Sequence, residues 1–158
     1  MGDRDPQLDE EAIAEFVSEQ AKEYDTYGKK RKFTTVQGIE LNLSSGAYGW
    51  KTDREEEIKA LTEAIQNGET VDKEPAYISK GAQKGSNDIG NSYVEIDLTN
   101  QHLYLFKDGD IVLETDFVSG NMSKADCVTP PGVFGLTYKT RKAIFRGANY
   151  ETPVNYWI

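Results

Sequence analysis

The spacing of apolar residues divides the chain into a part with helical periodicity and a part with strand periodicity. Over residues 8–24, apolar side chains recur every three or four positions and glutamates fill most of the others, which predicts an amphipathic helix. The basic run 29–32 follows, and we interpret it as a solvated turn that balances the acidic helix rather than as a polyanion site. In residues 32–43, apolar side chains alternate with polar ones and Gly38 interrupts the run, which predicts two strands joined by a glycine turn.

A second helix is predicted to begin after Thr52 or Asp53. Either side chain can accept a hydrogen bond from the first helical turn, and glutamates follow at the positions of a capping box. Gly68 is expected to end this helix, because glycine adopts the left-handed conformation common just after a helix. A short strand is expected over residues 74–79. The first half of the chain is therefore predicted to be an α+β unit.

A change of pattern separates this unit from the rest of the chain. Residues 80–91 contain three glycines and almost no apolar side chain, which is the composition of a linker or an exposed loop. After them the apolar period becomes two, Asp108-Gly109 supplies a hairpin turn, and residues 133–138 are predicted to form a further strand. The expected segments are an α+β domain over 1–79, a linker over 80–91 and a mostly β domain over 92–158.

Composition excludes several classes of function. The 158 residues are 37% hydrophobic and 28% charged, within the range of soluble globular proteins. A net charge of −9 leaves no electrostatic attraction to nucleic acid. No run approaches the roughly 18 to 20 apolar residues of a membrane-spanning helix, and the polar N-terminus lacks the pattern of a signal peptide. One cysteine, Cys127, and one histidine, His102, exclude an internal disulfide and a Cys/His metal cluster.

Three segments of the second half resemble the opening of the L,D-transpeptidase (YkuD-type) catalytic domain. Residues 93–109 contain an Asp-Leu strand, Gln101, a hydrophobic strand and an Asp-Gly turn, and residues 114–120 form a strand that ends in Ser-Gly. Residues 129–134, Thr-Pro-Pro-Gly-Val-Phe, depart by one residue from the family's Thr-Pro-x-Gly-x-Phe pattern. Residues 152–157 are similar to the stretch that leads into the family's substrate lid.

The first half resembles the peptidoglycan-binding domain that precedes this catalytic domain in Gram-positive enzymes. The resemblance rests on Phe33-Thr-Thr, Gly46-Ala-Tyr-Gly-Trp50 and Glu74-Pro-Ala-Tyr77. Together the two matches imply an α+β N-terminal domain followed by the first half of a mostly β L,D-transpeptidase catalytic domain. They also imply a secreted protein that takes part in cell-wall biogenesis and in maintaining cell shape. Its expected location is the cell wall or the outer face of the membrane of a Gram-positive bacterium.

The resemblance further implies partners and chemistry. The expected partners are peptidoglycan stem peptides, the expected membrane attachment is an anchor absent from this sequence, and no cofactor is expected. In the family, a cysteine thiolate with a histidine base attacks a carbonyl of a stem tetrapeptide and expels D-alanine, and the amine of a second stem then takes the acyl group. That cysteine belongs to a Ser-His-Gly-Cys segment, which this sequence does not contain.

We therefore expect no catalytic residue in this chain, which we interpret as a truncated transferase, inactive alone and able to associate with the missing catalytic half. Without that half, its β unit is expected to expose sheet edges and apolar side chains and to be marginally stable. Two alternatives stay open. The chain could be a non-catalytic peptidoglycan-binding or interaction module, or a natural inactive paralogue.

Several residues with chemical potential have a simpler structural interpretation. Cys127 stands next to Asp126, the opposite of the electropositive surroundings that reactive thiols need, so a structural role is favoured. His102 is interpreted as a histidine on a strand surface. Glu95 and Asp97 share one face of a strand and could form an acid/base pair or a cation site, but the solvent-facing side of a sheet is the favoured interpretation.

Four aromatic residues are the candidate binding residues of the chain. Tyr48 and Trp50 could stack on sugar rings, and Tyr156 and Trp157 could line the substrate groove. Aromatic side chains of this size more often pack in a core. Core packing is therefore the favoured role of both pairs, and contact with substrate or glycan is the functional alternative.

Overall fold

The computed structural model describes residues 8–44 and 46–158. The first seven residues of the expected N-terminal domain, and Ser45 in the glycine-rich loop, lie outside the described residues. The helices and strands of the described residues are, in order, α1 Glu10–Tyr24, β1 Arg31–Thr34, β2 Glu40–Leu43, β3 Lys51–Thr52, α2 Arg54–Asn67, β4 Tyr77–Ser79, β5 Val94–Asp97, β6 His102–Lys107, β7 Asp110–Asp116, β8 Thr140–Gly147 and β9 Tyr150–Trp157.

Both helices begin at an aspartate that caps the first turn. Asp9 accepts a hydrogen bond from the backbone N–H of Ala12 at 3.0 Å, and Asp53 accepts one from the N–H of Glu56 at 3.2 Å. These contacts satisfy amide groups that have no partner inside the helix. Helix α2 ends at Gly68, which adopts a left-handed conformation with φ 67°. Both predicted helices are confirmed, and the cap of α2 is Asp53 rather than Thr52.

The apolar core of the chain lies in its first half. Ile13, Val17 and Ala21 follow one another at intervals of four residues on α1 and are each at most 8% exposed. Trp50 is also buried. Helix α2 packs against α1 without burying any of its own side chains completely. The amphipathic pattern of α1 is therefore the main source of burial in this unit.

Antiparallel pairing joins all the described strands. β1 pairs with β2, and the predicted turn between them contains Gly38 at φ 79°. β3 pairs with β4, while β5, β6 and β7 form a three-stranded meander. The predicted turn between β6 and β7 has positive φ at both Asp108 and Gly109, as a two-residue hairpin turn of type I′ requires. β8 and β9 form a hairpin whose register runs from Thr140↔Trp157 to Gly147↔Tyr150.

The predicted strand over residues 133–138 is wrong. The described structure has no strand there, and the two strands β8 and β9 follow instead. Residues 133–135 lie against the glycine-rich loop of the first half: a Cβ on Gly46 would stand 2.0 Å from the carbonyl oxygen of Val133, and one on Gly135 would stand 3.5 Å from the Tyr48 ring. A segment held against a loop in this way has no strand to pair with.

Apolar side chains of the second half are widely exposed. Among the described residues after 91, Glu95 is the one classed as buried. Every residue of β7 is exposed, including Ile111, Val112 and Leu113 at 45%, 54% and 52%.

In the described part of the chain, neither helix combines the length and the apolarity needed to cross a membrane.

Candidate functional site

A buried ion pair fixes the segment 80–91 to the first half of the chain. The guanidinium of Arg31 donates to the carboxylate of Asp88 from Nε and from Nη2, each at 2.7 Å, and Asp88 is 1% exposed. The hydroxyl of Thr26 donates to the same carboxylate. The remaining hydrogen bonds of the guanidinium are to the backbone carbonyls of Thr26, Lys29 and Tyr48. Two-point pairing of this kind specifies geometry as well as charge.

Both members of the pair are held in their charged forms. Burial is the largest influence on Asp88 and opposes its ionisation, but hydrogen bonds from Arg31 and Thr26, together with the charge of Arg31, hold the pKa of Asp88 below its usual value of 3.8. The hydrogen bond to Asp88 in turn raises the pKa of Arg31, against the effect of burial. The pair therefore stays ionised at neutral pH.

Tyr48 and Trp50 hold the same segment. The hydroxyl of Tyr48 donates to the backbone carbonyl of Asp88 and accepts from the N–H of Ala82, both at 2.8 Å. The indole N–H of Trp50 donates to the carbonyl of Gln83 at 2.7 Å. A polar end on each ring thus finds a backbone partner while the ring is wholly or partly buried. Their proposed contact with glycan stays a prediction.

A lysine covers the aromatic rings at the mouth of a cavity. The Nζ atom of Lys84 lies 3.8 Å from the ring centroid of Trp50 and 4.2 Å from that of Tyr77, within the range of a cation–π interaction. Beside them, between α1 and α2, is a cavity of about 600 Å³. The apolar and aromatic part of its lining consists of Phe16, Val17, Tyr24, Trp50, Leu61, Pro75 and Tyr77. Its size is that of a small-molecule site.

Glu95 is buried, so its predicted position on the solvent-facing side of the sheet is wrong. Both of its carboxylate oxygens accept from the backbone N–H of Val36, at 3.1 and 3.2 Å, because the turn between β1 and β2 lies over this face of β5. The opposite face carries Val94 and Ile96, which are 48% and 49% exposed. Burial raises the pKa of Glu95. The contact joins the two halves of the chain.

Asp97, two residues along the same strand, has a local structural role. Its carboxylate accepts hydrogen bonds from the N–H groups of Thr99 and Asn100, each at 2.9 Å, which closes the turn between β5 and β6. The hydrogen bonds from Asn100 are the main reason that the pKa of Asp97 lies below its usual value. Glu95 and Asp97 are therefore engaged separately by backbone groups.

Cys127 and His102 are not brought together. Cys127 is an exposed thiol at the end of a 3-10 helix, Ala125–Cys127. His102 lies on β6 with Nδ1 2.6 Å from Asp116 and its ring 4.7 Å from that of Tyr104. The described residues contain no contact between the thiol and the imidazole, and no cluster of three or more histidine, cysteine or acidic side chains suited to a metal ion.

Tyr156 and Trp157 lie at the end of β9. Tyr156 is 74% exposed and has a positive φ of 56°, which is unusual for a tyrosine. Trp157 is 39% exposed, and its ring lies 5.1 Å from that of Phe145 on the paired strand β8. Both rings are thus accessible at one end of the hairpin, and their proposed role in lining a substrate groove stays a prediction.

Sequence reasoning missed the residues that join the two halves. Arg31 belongs to the basic run interpreted as a solvated turn, yet it is buried, and its partner is 57 residues away. Asp88 is the one acidic residue in the segment 80–91, which is the only signal that could have drawn attention to it. Nothing in the local sequence indicates that Lys84 lies over Trp50.

Comparisons with known proteins identify both halves. A family profile described as "Putative peptidoglycan binding domain" matches residues 4–73, and one described as "L,D-transpeptidase catalytic domain" matches residues 91–156. No curated protein matches the chain. The chain is similar to a solved structure, the crystal structure of a Cys-to-Ser mutant of Enterococcus faecium L,D-transpeptidase. The two sequences are 33% identical and the two structures superpose with a TM-score of 0.71. The match covers 100% of this chain and 63% of that one.

A second solved structure, the carbamoyl enzyme formed by Ldtfm and avibactam, gives the same result. It is 34% identical with a TM-score of 0.71, and the match covers 99% of this chain and 61% of that chain. This chain thus spans less than two thirds of the length of each of these two proteins. The expected order of the two domains and the expected fold class are confirmed.

Proposed function

Because this chain belongs to the L,D-transpeptidase family and carries a peptidoglycan binding domain ahead of its catalytic-domain segment, we propose that it is the N-terminal part of a peptidoglycan cross-linking enzyme. The reaction is acyl transfer between stem peptides in the wall of a Gram-positive bacterium, outside the membrane. The observation that supports this most directly is 33% identity to an L,D-transpeptidase over 100% of this chain.

In this proposal the 158 residues contribute no nucleophile. The sequence lacks a Ser-His-Gly-Cys segment, and Cys127 has no histidine against it among the described residues, whereas a thiolate nucleophile needs a base within hydrogen-bond reach. The activated cysteine and its oxyanion donors belong to further polypeptide. This chain alone is inactive in acyl transfer.

The exposed sheet surface of the second half supports this arrangement. Ile111, Val112 and Leu113 on β7 and Ile144 on β8 are all at least 45% exposed, and extensive exposure of apolar side chains is typical of surfaces that contact other polypeptide. The remainder of a catalytic domain would cover this surface. Tyr156 and Trp157, at the open end of the hairpin, would then border the groove that admits the stem peptide.

The domain division is part of the proposal. Residues 1–79 form the peptidoglycan-binding domain, residues 92–158 form the first portion of the catalytic domain, and residues 80–91 connect them. The connection is fixed rather than loose, because Asp88, buried in this segment, is bonded to Arg31 and Thr26 of the first domain.

A second candidate function is favoured by the core of the first half. Ile13, Val17, Ala21 and Trp50, all in the first half, are the buried apolar residues of the described chain, so this unit has a core of its own. A folded unit without a nucleophile suits a non-catalytic module that holds peptidoglycan. In that case the chain binds purified peptidoglycan sacculi but supports no acyl transfer in any context.

A chimera separates the two candidates. The chain is fused to the Ser-His-Gly-Cys region of the Enterococcus faecium L,D-transpeptidase, and cross-linking of a stem tetrapeptide is followed by mass spectrometry. The unfused chain, treated with a carbapenem, is the control. We expect cross-linked product from a folded chimera and no carbapenem adduct on the unfused chain. An adduct on Cys127 would contradict the proposal, as would a folded chimera that binds sacculi but forms no product.

A further inference from the structure

A second cleft separates the basic run from the connecting segment. It has a volume of about 760 Å³ and lies between residues 29–32 on one side and residues 86–88 and 90–91 on the other. Phe33, Tyr93 and Phe106 also line it. The cleft adjoins the apolar cavity between α1 and α2, with which it shares Thr26, Lys29 and Ser86, and it is lined by both halves of the chain.

The basic wall of this cleft carries charge that the protein does not neutralise. Lys29 is engaged, since its Nζ donates to the carbonyl of Lys22 at 2.8 Å, and Arg31 is paired with Asp88. Lys30 and Lys32 are exposed, and their side chains make no ion pair or hydrogen bond within the described residues. Two lysines whose side chains have no partner among the described residues therefore belong to the lining of the cleft, in a chain whose net charge is −9.

The cleft offers no competing negative charge. Among the described lining residues the one acid is Asp88, whose carboxylate is already occupied by Arg31 and Thr26. The uncharged polar lining includes Thr26, Thr34, Ser86, Asn87 and Asn91. An anion that enters the cleft thus meets hydrogen-bonding groups and two free cations.

An aromatic surface accompanies these charges. The rings of Tyr93 and Phe106 are stacked with centroids 4.6 Å apart, and the ring of Phe33 meets Tyr93 edge-on at 5.7 Å. Contacts with neighbouring rings hold these side chains in place, so apolar area is presented at low conformational cost. A ligand that matches the cleft has small apolar groups and more than one negative charge.

We propose that this cleft binds a short peptide that bears free carboxylates, with Lys30 and Lys32 as its anion contacts and the aromatic cluster under its apolar side chains. The inference rests on the proposed function, which supplies stem peptides as the natural ligand of this class. It places a peptide at the junction of the two halves of the chain. A stem peptide bound in this cleft would stay close to the enzyme between one cross-linking reaction and the next.

The test is a calorimetric titration of the 158-residue chain with a synthetic stem tetrapeptide at low and high salt. Lys30→Gln and Lys32→Gln are each expected to weaken binding about threefold, and the double variant about tenfold, as expected for partly exposed ion pairs. Lys59→Gln, the same change at an exposed position of α2 outside the cleft, is expected to bind as the unchanged chain does. Amidation of the peptide carboxylates is expected to abolish the effect of both substitutions.

Three results would overturn the inference: no binding at millimolar peptide, equal binding by the double variant, or lysine-dependent binding of a glycerol phosphate polymer but not of the peptide. Co-sedimentation with sacculi separates this failure from failure of the proposed function. If the chain sediments with sacculi and the chimera cross-links, only the assignment of the cleft is lost. If neither occurs, the proposed function is lost.

Discussion

Asp88→Asn tests whether the buried ion pair holds the connecting segment in place. Asparagine has nearly the same shape as aspartate but carries no charge, and its amide nitrogen cannot accept a hydrogen bond. At least one of the two Arg31 donors that now reach Asp88 at 2.7 Å would face another donor. The guanidinium would remain buried, at 9% exposure, without its counter-charge.

The expected loss follows from that burial. Removing one partner of a buried pair costs about 3 to 5 kcal/mol, because the other charge is left uncompensated. Asparagine keeps one oxygen for Arg31 or Thr26, and Arg31 keeps its backbone carbonyl partners. We therefore expect a decrease of about 3 kcal/mol in the free energy of unfolding, at the lower end of this range.

The measurement is urea denaturation followed by tryptophan fluorescence, which reports on Trp50 beside the connecting segment and on Trp157 at the end of β9. With a slope of about 2 kcal/mol per molar urea, the midpoint is expected to fall by about 1.5 M. Asp72→Asn is the matched control, since Asp72 is an exposed acid without a bonded partner among the described residues. Its midpoint is expected to stay within about 0.25 M of the original.

The effect should also depend on pH with a definite sign. The pKa of Asp88 is lowered in the folded protein, so its contribution is complete above its unfolded value of 3.8 and is lost as pH falls through the lower folded value. The difference between the unchanged chain and Asp88→Asn should therefore shrink below about pH 4. A loss below about 1 kcal/mol at pH 7 would refute the reasoning, because the Arg31 charge would then have to be solvated.

Substitutions at two further positions, Glu95 and Gly46, test the other contacts between the halves. Glu95→Gln keeps an acceptor for the N–H of Val36 and removes a carboxylate whose pKa is raised by burial. Because a raised pKa means that the ionised carboxylate disfavours folding, this variant is expected to be at least as stable as the unchanged chain at pH 7. Glu95→Ala loses the acceptor and is expected to be less stable by about 1 kcal/mol, with both variants measured by urea denaturation. Equal losses for the two variants would contradict this. Gly46→Ala is expected to lower the melting temperature more than Gly85→Ala, because both glycines have positive φ but only the first would place a Cβ against Val133. Equal decreases in the melting temperature of the two variants, measured by calorimetry, would show that the loss of stability comes from the backbone conformation alone and not from the contact with Val133.

The elements that the sequence predicted well depend on local signals. Asp53 and Gly68 mark the ends of α2 through contacts within a few residues, and the turn at Asp108-Gly109 follows from its own backbone preference. The period of α1 likewise identifies the three residues that it buries. Such signals need no knowledge of the tertiary structure, which is why they could be interpreted from the sequence.

The predictions that failed depend on what lies opposite a segment. The sequence pattern of Glu95 gives the right alternation but the opposite face, because the turn that covers it comes from β1 and β2, about 60 residues earlier. The segment 133–138 has strand-like composition, yet it lies against the glycine-rich loop. The pairing of Arg31 with Asp88 is equally invisible, since neither residue has a local signal for burial. Distant contacts of this kind are not encoded in any short pattern.

The connecting segment forms a loop whose two ends are hydrogen-bonded to each other, and this affects how its length can vary among related proteins. The N–H of Ala82 donates to the carbonyl of Asp88 at 2.9 Å, which brings the two ends of the intervening loop together. Gly85, at the exposed tip, has open space around it. Residues inserted beside Gly85 would enlarge the loop without moving its ends, and loop length alone has a small entropic cost. Relatives can therefore gain or lose residues at this tip and keep the same spacing between domains, whereas a deletion that removes Asp88 would alter it.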